Sequence, residues 1–140
     1  MNQMATPVSH HEALIYTMVL VSAADQNMTD SELASIGDII SHLPIFRDFD
    51  RKQITKTAGA CAELLSDEDG LDQAFGLIKA ALPEKLRETA YALACDVAAA
   101  DGKVTEEEAR ILELVRYHLK IGRLPAAAIE RGARARHVRL

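Results

Sequence analysis

The chain of 140 residues is expected to be all-α: a compact bundle of about seven helices containing an internally duplicated helical hairpin with a pseudo-twofold axis. Three observations predict this. Apolar residues recur every three or four positions, between stretches that carry helix caps, Pro or Gly. Ala and Leu fill the apolar positions, with aromatics at 4% and no Trp, which suits helices packed at close distance. Finally, Val21-Ser-Ala-Ala-Asp25-Gln-Asn-Met28-Thr29-Asp-Ser-Glu32 and Val97-Ala-Ala-Ala-Asp101-Gly-Lys-Val104-Thr105-Glu-Glu-Glu108 read as copies of one another, 76 residues apart. Beyond the Glu the match continues, with Ile36 and Ile39 opposite Leu112 and Val115.

Ser9 suits the N-cap of a first helix, from His10 to about Ala24, with Leu14, Ile15, Met18 and Val21 on its apolar face. A joint at Asp25 leads into a second helix, from Asp30 to about His42, turning Ile36, Ile39, Ile40 and Leu43 inward. Leu43-Pro44 closes it, because the residue before Pro avoids helical angles. A third helix spans Asp50 to Leu65, where Phe49, Ile54, Ala58, Cys61 and Leu65 fall near a 3.6-residue period. Ser66-Asp-Glu-Asp-Gly70 is a polar break, and a fourth helix follows from Leu71 to Ala81 with Ala74, Phe75, Ile78 and Leu82. Pro83 suits the first turn of a fifth helix, where its missing N–H costs nothing. That helix runs to Ala100 through Leu86, Ala90, Leu93, Ala94 and Val97. The joint at Asp101 leads to a sixth, from Glu106 to about Leu119, which Gly122 stops. Leu124-Pro125 opens a seventh, from Ala126 to about Arg136. No stretch alternates apolar and polar residues as a strand would.

The repeated joints have a structural reading and a chemical one. Thr29 and Thr105 are good N-caps with Glu32 and Glu108 three residues on, the pattern of a capping box; Met28 and Val104 before them suit a hydrophobic staple. Asp25 and Asp101 can close each loop as an Asx-turn, with Gly102 or Asn27 taking unusual backbone angles. Each cap is worth about 1 kcal/mol. The chemical reading adds a cation. If the hairpins are related by a pseudo-twofold axis, Asp25, Glu32, Asp101 and Glu108 meet with Gln26, Asn27 and loop carbonyls in an all-oxygen pocket, suited to Ca²⁺, Mg²⁺ or Mn²⁺. It is no EF-hand: counting from Asp101, position 3 is Lys103, position 6 is Glu106 and position 12 is Leu112.

The segment Leu82 to Glu108, and within it Ala98-x-Ala-Asp101-Gly102-x-Val104-x-x-x-Glu108, resembles the TerB family of tellurite-resistance-associated proteins. The likeness covers roughly residues 10–122, and Ala23-Ala24-Asp25 to Glu32 is the copy that the family's internal duplication implies. The resemblance implies a compact helical domain over 10–122, preceded by an N-terminal segment, 1–9. A C-terminal helix and basic tail, 123–140, pack on that domain or extend it. It also implies a link to tellurite and general stress responses, with metal binding by Asp25, Glu32, Asp101 and Glu108. Gln26 stands where the family pattern has Gly, so a strictly symmetric site is not expected.

Charge and composition restrict the function further. Residues 1–120 carry 11 Lys and Arg against 20 Asp and Glu, whereas residues 121–140 carry five Arg against Glu130 alone. An acidic body argues against nucleic-acid binding. The tail can dock on an acidic surface, its own or a partner's, although a solvated, partly frayed helix end is the plainer expectation. No segment is long and apolar enough to span a membrane, and Met1-Asn-Gln-Met-Ala-Thr-Pro lacks the pattern of a secretory signal. Cys61 and Cys95 are solitary on apolar helical stretches, as buried free thiols in a reducing cytoplasm would be. His10-His11-Glu12 reads as a helix start, Asp67-Glu68-Asp69 as acids at a helix N-terminus, and Tyr117-His118 as the edge of the core. Asp96, one turn before the second joint, either faces the acidic pocket as a further ligand or points outward. No catalytic constellation is visible. The expectation is a cytoplasmic, non-enzymatic module that holds a divalent cation or a basic segment of a protein partner. The alternatives are a carboxylate-metal hydrolase and a purely structural interaction domain without ligand.

Overall fold

Helix α1 (His10–Ser22) is apolar on every side, and residues 13–22 are all buried, so it can only be a central helix. The computed structural model describes residues 7–24, 28–100 and 102–140. Around α1 pack α2 (Asp30–Ile40), α3 (Gln53–Leu65), α4 (Gly70–Ala81), α5 (Arg87–Ala99) and α6 (Glu106–His118). The seventh, α7 (Arg123–Arg136), lies against α5. Among the described residues there is no strand, and the fold is all-α as expected. Leu14, Ile15, Met18 and Val19 of α1 are each 0% exposed. Each such burial stabilises by roughly 1.5–3 kcal/mol before the entropy of ordering is subtracted. Thr17, the polar residue in the middle of α1, satisfies itself by donating to the Ala13 carbonyl at 2.8 Å.

The element borders depart from the sequence reading in instructive ways. The fifth helix does not take Pro83 into its first turn. Pro83 is extended and precedes a 3-10 turn at Glu84–Leu86, and α5 begins only at Arg87. A second 3-10 turn, Pro44–Phe46, follows α2 and was not expected. Gly122 does not stop the sixth helix. Lys120 does, in the left-handed conformation at φ 56°. The Ile121 N–H bonds the Arg116 carbonyl at 3.0 Å and the Lys120 N–H bonds the Tyr117 carbonyl at 3.2 Å, the two bonds of a Schellman stop. Gly122, extended at φ −67°, is instead the N-cap of α7, which starts at Arg123 and carries Pro125 within its first turn. There the proline's absent N–H would have had no partner anyway.

Ser9 caps α1 as expected, with Glu12 returning the bond to the Ser9 N–H at 2.8 Å. Cys61 and Cys95 are both buried and free. Burial pushes both thiols up to about 12, which keeps them protonated and unreactive at neutral pH.

Candidate functional site

The two joints deliver the same local geometry from separate parts of the chain. At the start of α2, the Glu32 N–H donates to Thr29 Oγ1 at 3.1 Å, and the Thr29 N–H donates to Glu32 Oε1 at 2.8 Å. At the start of α6, the Glu108 N–H donates to Thr105 Oγ1 at 3.1 Å, and the Thr105 N–H donates to Glu108 Oε1 at 2.9 Å. Both capping boxes are complete. The staples are not equivalent: Met28 packs against the core, whereas Val104 is 49% exposed. Gly102 has φ +81°, the left-handed angle that a Gly in the second joint supplies without strain. Asp25, Gln26, Asn27 and Asp101 lie outside the described residues, so the Asx-turns and half of the expected carboxylate set lie there too.

Glu32 and Glu108 nevertheless come to one place. They line a single pocket of about 290 Å³, whose walls also include Ser22 at the end of α1 and Ser31 and Ser35 of α2. Val97 of α5 and Ala100 just beyond its end complete the apolar side. Beneath them Val21, Ala94 and Ala98 form a small apolar cluster that joins the first and fifth helices under the joints. Small side chains here let the helix ends approach closely enough to bring two caps onto one cavity. Glu108 is 7% exposed, and its carboxylate accepts from the Thr105 N–H at its own helix start, as a carboxylate so far from water must find donors.

The last residue at the pocket is Arg139, from the tail. Its Nη2 donates to the Ala100 carbonyl at 2.8 Å, satisfying a carbonyl at the negative end of α5. Asp96 does not line this pocket. It is drawn to the tail instead, accepting from Arg136 Nη2 at 2.6 Å, with His137 Nε2 at 3.4 Å from the same oxygen. The basic tail is therefore not a frayed, solvated end: it crosses the C-terminus of α5 and reaches the joints. The physical reason is charge: Arg136 pairs with the Asp96 carboxylate and Arg139 with the carbonyl at the negative end of α5. The sequence reading missed Arg139 and the three serines, although the charge asymmetry was the signal for the first.

The other singled-out residues serve the fold. His11 Nε2 lies 2.6 Å from the Ile45 carbonyl and 3.5 Å from Asp48, and its ring packs beside Phe46 and Phe49. Asp69 accepts from Gln73 Nε2 at 2.8 Å. His118 stacks on Phe75 at 4.1 Å, and burial, aided by Lys79, lowers its pKa. Tyr117 points into water at 76% exposed, not into the edge of the core. Among the described residues no three His, Cys, Asp or Glu side chains cluster to hold a metal. The donors at the pocket, two carboxylates and three hydroxyls, are nevertheless all oxygen, the set that suits a hard cation. Among the described residues no helix is long and apolar enough to cross a membrane.

A family model described as tellurite resistance protein TerB matches residues 11–130. No curated protein and no solved structure matches the chain.

Proposed function

The chain belongs to the TerB family, and from that premise we propose that it is a non-enzymatic, stress-associated binding module whose two helix joints recognise a positively charged ligand. The observation that carries this is the meeting of Glu32 and Glu108, from joints 76 residues apart, on one oxygen-lined pocket. The first ligand to consider is a divalent cation of the Ca²⁺, Mg²⁺ or Mn²⁺ type. Glu32 and Glu108 would hold it, with Asp25 and Asp101 supplied by the same two loops. Such an ion would neutralise paired carboxylates and tie the two hairpins together. A second reading, a basic segment of a protein partner, is favoured by the arginine side chain at the pocket.

Thermal unfolding with added Ca²⁺ or Mn²⁺ tests the cation reading. An ion at one hundred times its dissociation constant stabilises by about 2.7 kcal/mol, a rise in Tm of roughly 8–12 °C for a domain of this size. The double change Asp101→Asn with Glu108→Gln should abolish the rise. Gln still serves as the third helical residue of a capping box, so the variant loses charge and keeps its cap. A wild type whose Tm ignores every divalent ion would eliminate the cation.

A further inference from the structure

The pocket between the joints already has a cationic side chain at it, and it is the chain's own. Arg139 lines the same cavity as Glu32 and Glu108, two residues beyond the end of the tail's pairing with Asp96. We propose that residues 136–139 form a strap that holds Arg139 against the wall of the pocket in the resting protein and must be displaced before a divalent cation can bind. The inference deepens the reading of the pocket as a cation site and rests on it.

Three features support a strap over a permanent wall. Its fastening is polar: Arg136 and His137 share one oxygen of Asp96, and Arg139 donates to the Ala100 carbonyl. Apolar burial does not hold it, because Val138 is 70% exposed and Leu140 is also exposed. Polar contacts at a solvent-facing surface contribute little each, so a competing ligand can replace them. The placement also fits competition. The Arg139 side chain approaches to 3.7 Å of where a Cβ on Gly102 would stand, which sets the guanidinium against the second joint itself. A cation drawn to the joint carboxylates would meet the guanidinium charge there, and the two would exclude one another by repulsion. The strap is also continuous with α7, so anything that pulls α7 from α5 would open the pocket, coupling the two.

Titration calorimetry with Mn²⁺ on the full chain tests the strap. Closing lowers apparent affinity by the fraction of molecules that are open, so Arg139→Ala and Arg136→Ala should each bind Mn²⁺ roughly threefold to tenfold more tightly than wild type. Arg134→Ala removes the same charge from an exposed position of α7 and should leave affinity within about twofold, as screening by salt predicts. Equal affinity in wild type and both strap variants would overturn the strap and leave the pocket reading standing. Tightening of the same size in Arg134→Ala would also overturn it, since net charge alone would then be responsible. Absence of Mn²⁺ binding in wild type and every variant would overturn the cation reading of the pocket, and with it the strap as a cation gate.

Discussion

At the scale of single residues, the chain places chemistry and strain at helix ends. Glu32 and Glu108 act locally as caps and jointly as pocket walls, so their conservative exchange to Gln separates the two roles. Lys120 is the opposite case, a residue whose side chain does nothing evident while its backbone does the work. Its φ of 56° is the one left-handed angle held by a residue other than Gly among those described. A side chain in that conformation costs roughly 1 kcal/mol or more, because Cβ crowds the neighbouring carbonyl. Lys120→Gly should therefore stabilise the protein by about 0.5–1 kcal/mol, less the entropy that Gly adds to the unfolded chain. Urea unfolding reads this directly: the midpoint should rise with an unchanged slope. A midpoint that falls would mean that the lysine side chain contributes more than its backbone costs.

At the scale of elements, local rules were readable and distant ones were not. The capping boxes at Thr29 and Thr105 follow from four-residue patterns and each appears with both of its bonds, and the cap expected at Ser9 proves to be a full box with Glu12 as well. The break at residues 66–69 was equally legible, yet the sequence did not reveal how tightly α3 and α4 are joined there. Gly70 opens α4, and a Cβ on it would collide with the Leu64 carbonyl and stand 2.9 Å from Leu65 Cα. Gly70→Ala should therefore lower stability by about 1–3 kcal/mol, the usual cost of forcing an extra carbon into a packed site. Gly76→Ala in the same helix meets nothing within 4 Å and should stabilise slightly, through helix propensity. Comparing the two by thermal melting separates crowding from propensity, and equal effects would refute the crowding argument. The tail escaped the sequence reading for a different reason. Its arginines have no periodic or capping signal, and their partners, Asp96 and the Ala100 carbonyl, stand some 40 residues away in the chain. Charge imbalance announced that the tail could dock, and only the packing of α7 on α5 determined where.

At the scale of the molecule, the packing is uneven, and the two cysteines sit on either side of that unevenness. Both belong to the main core, but Cys61 is 0% exposed on α3, which packs against the central helix. Cys95 is 4% exposed on α5 and lies close to the charges of Glu130, Asp96 and Arg136, on the side that α7 and the tail cover. The seventh helix makes its principal contacts with α5 alone, joined by the Tyr91 hydroxyl donating to Glu130 and by Arg136 on Asp96. An element held by a single neighbour can open without disturbing the rest, and such local openings cost less than global unfolding. Neither thiol reacts while covered, since each is held protonated by burial. Labelling by an aromatic disulfide in dilute urea should therefore modify Cys95 before Cys61, with a weaker urea dependence because less surface is exposed in the opening. Glu130→Ala removes one of the two polar ties from the α7 side and should speed Cys95 labelling several-fold while leaving the Cys61 rate within about twofold, as a loss of roughly 1 kcal/mol confined to α7 requires. If both thiols instead react at one rate with one urea dependence, α7 opens only when the whole protein unfolds. The bundle would then be a single cooperative unit, and a strap continuous with α7 could move only beyond Arg136.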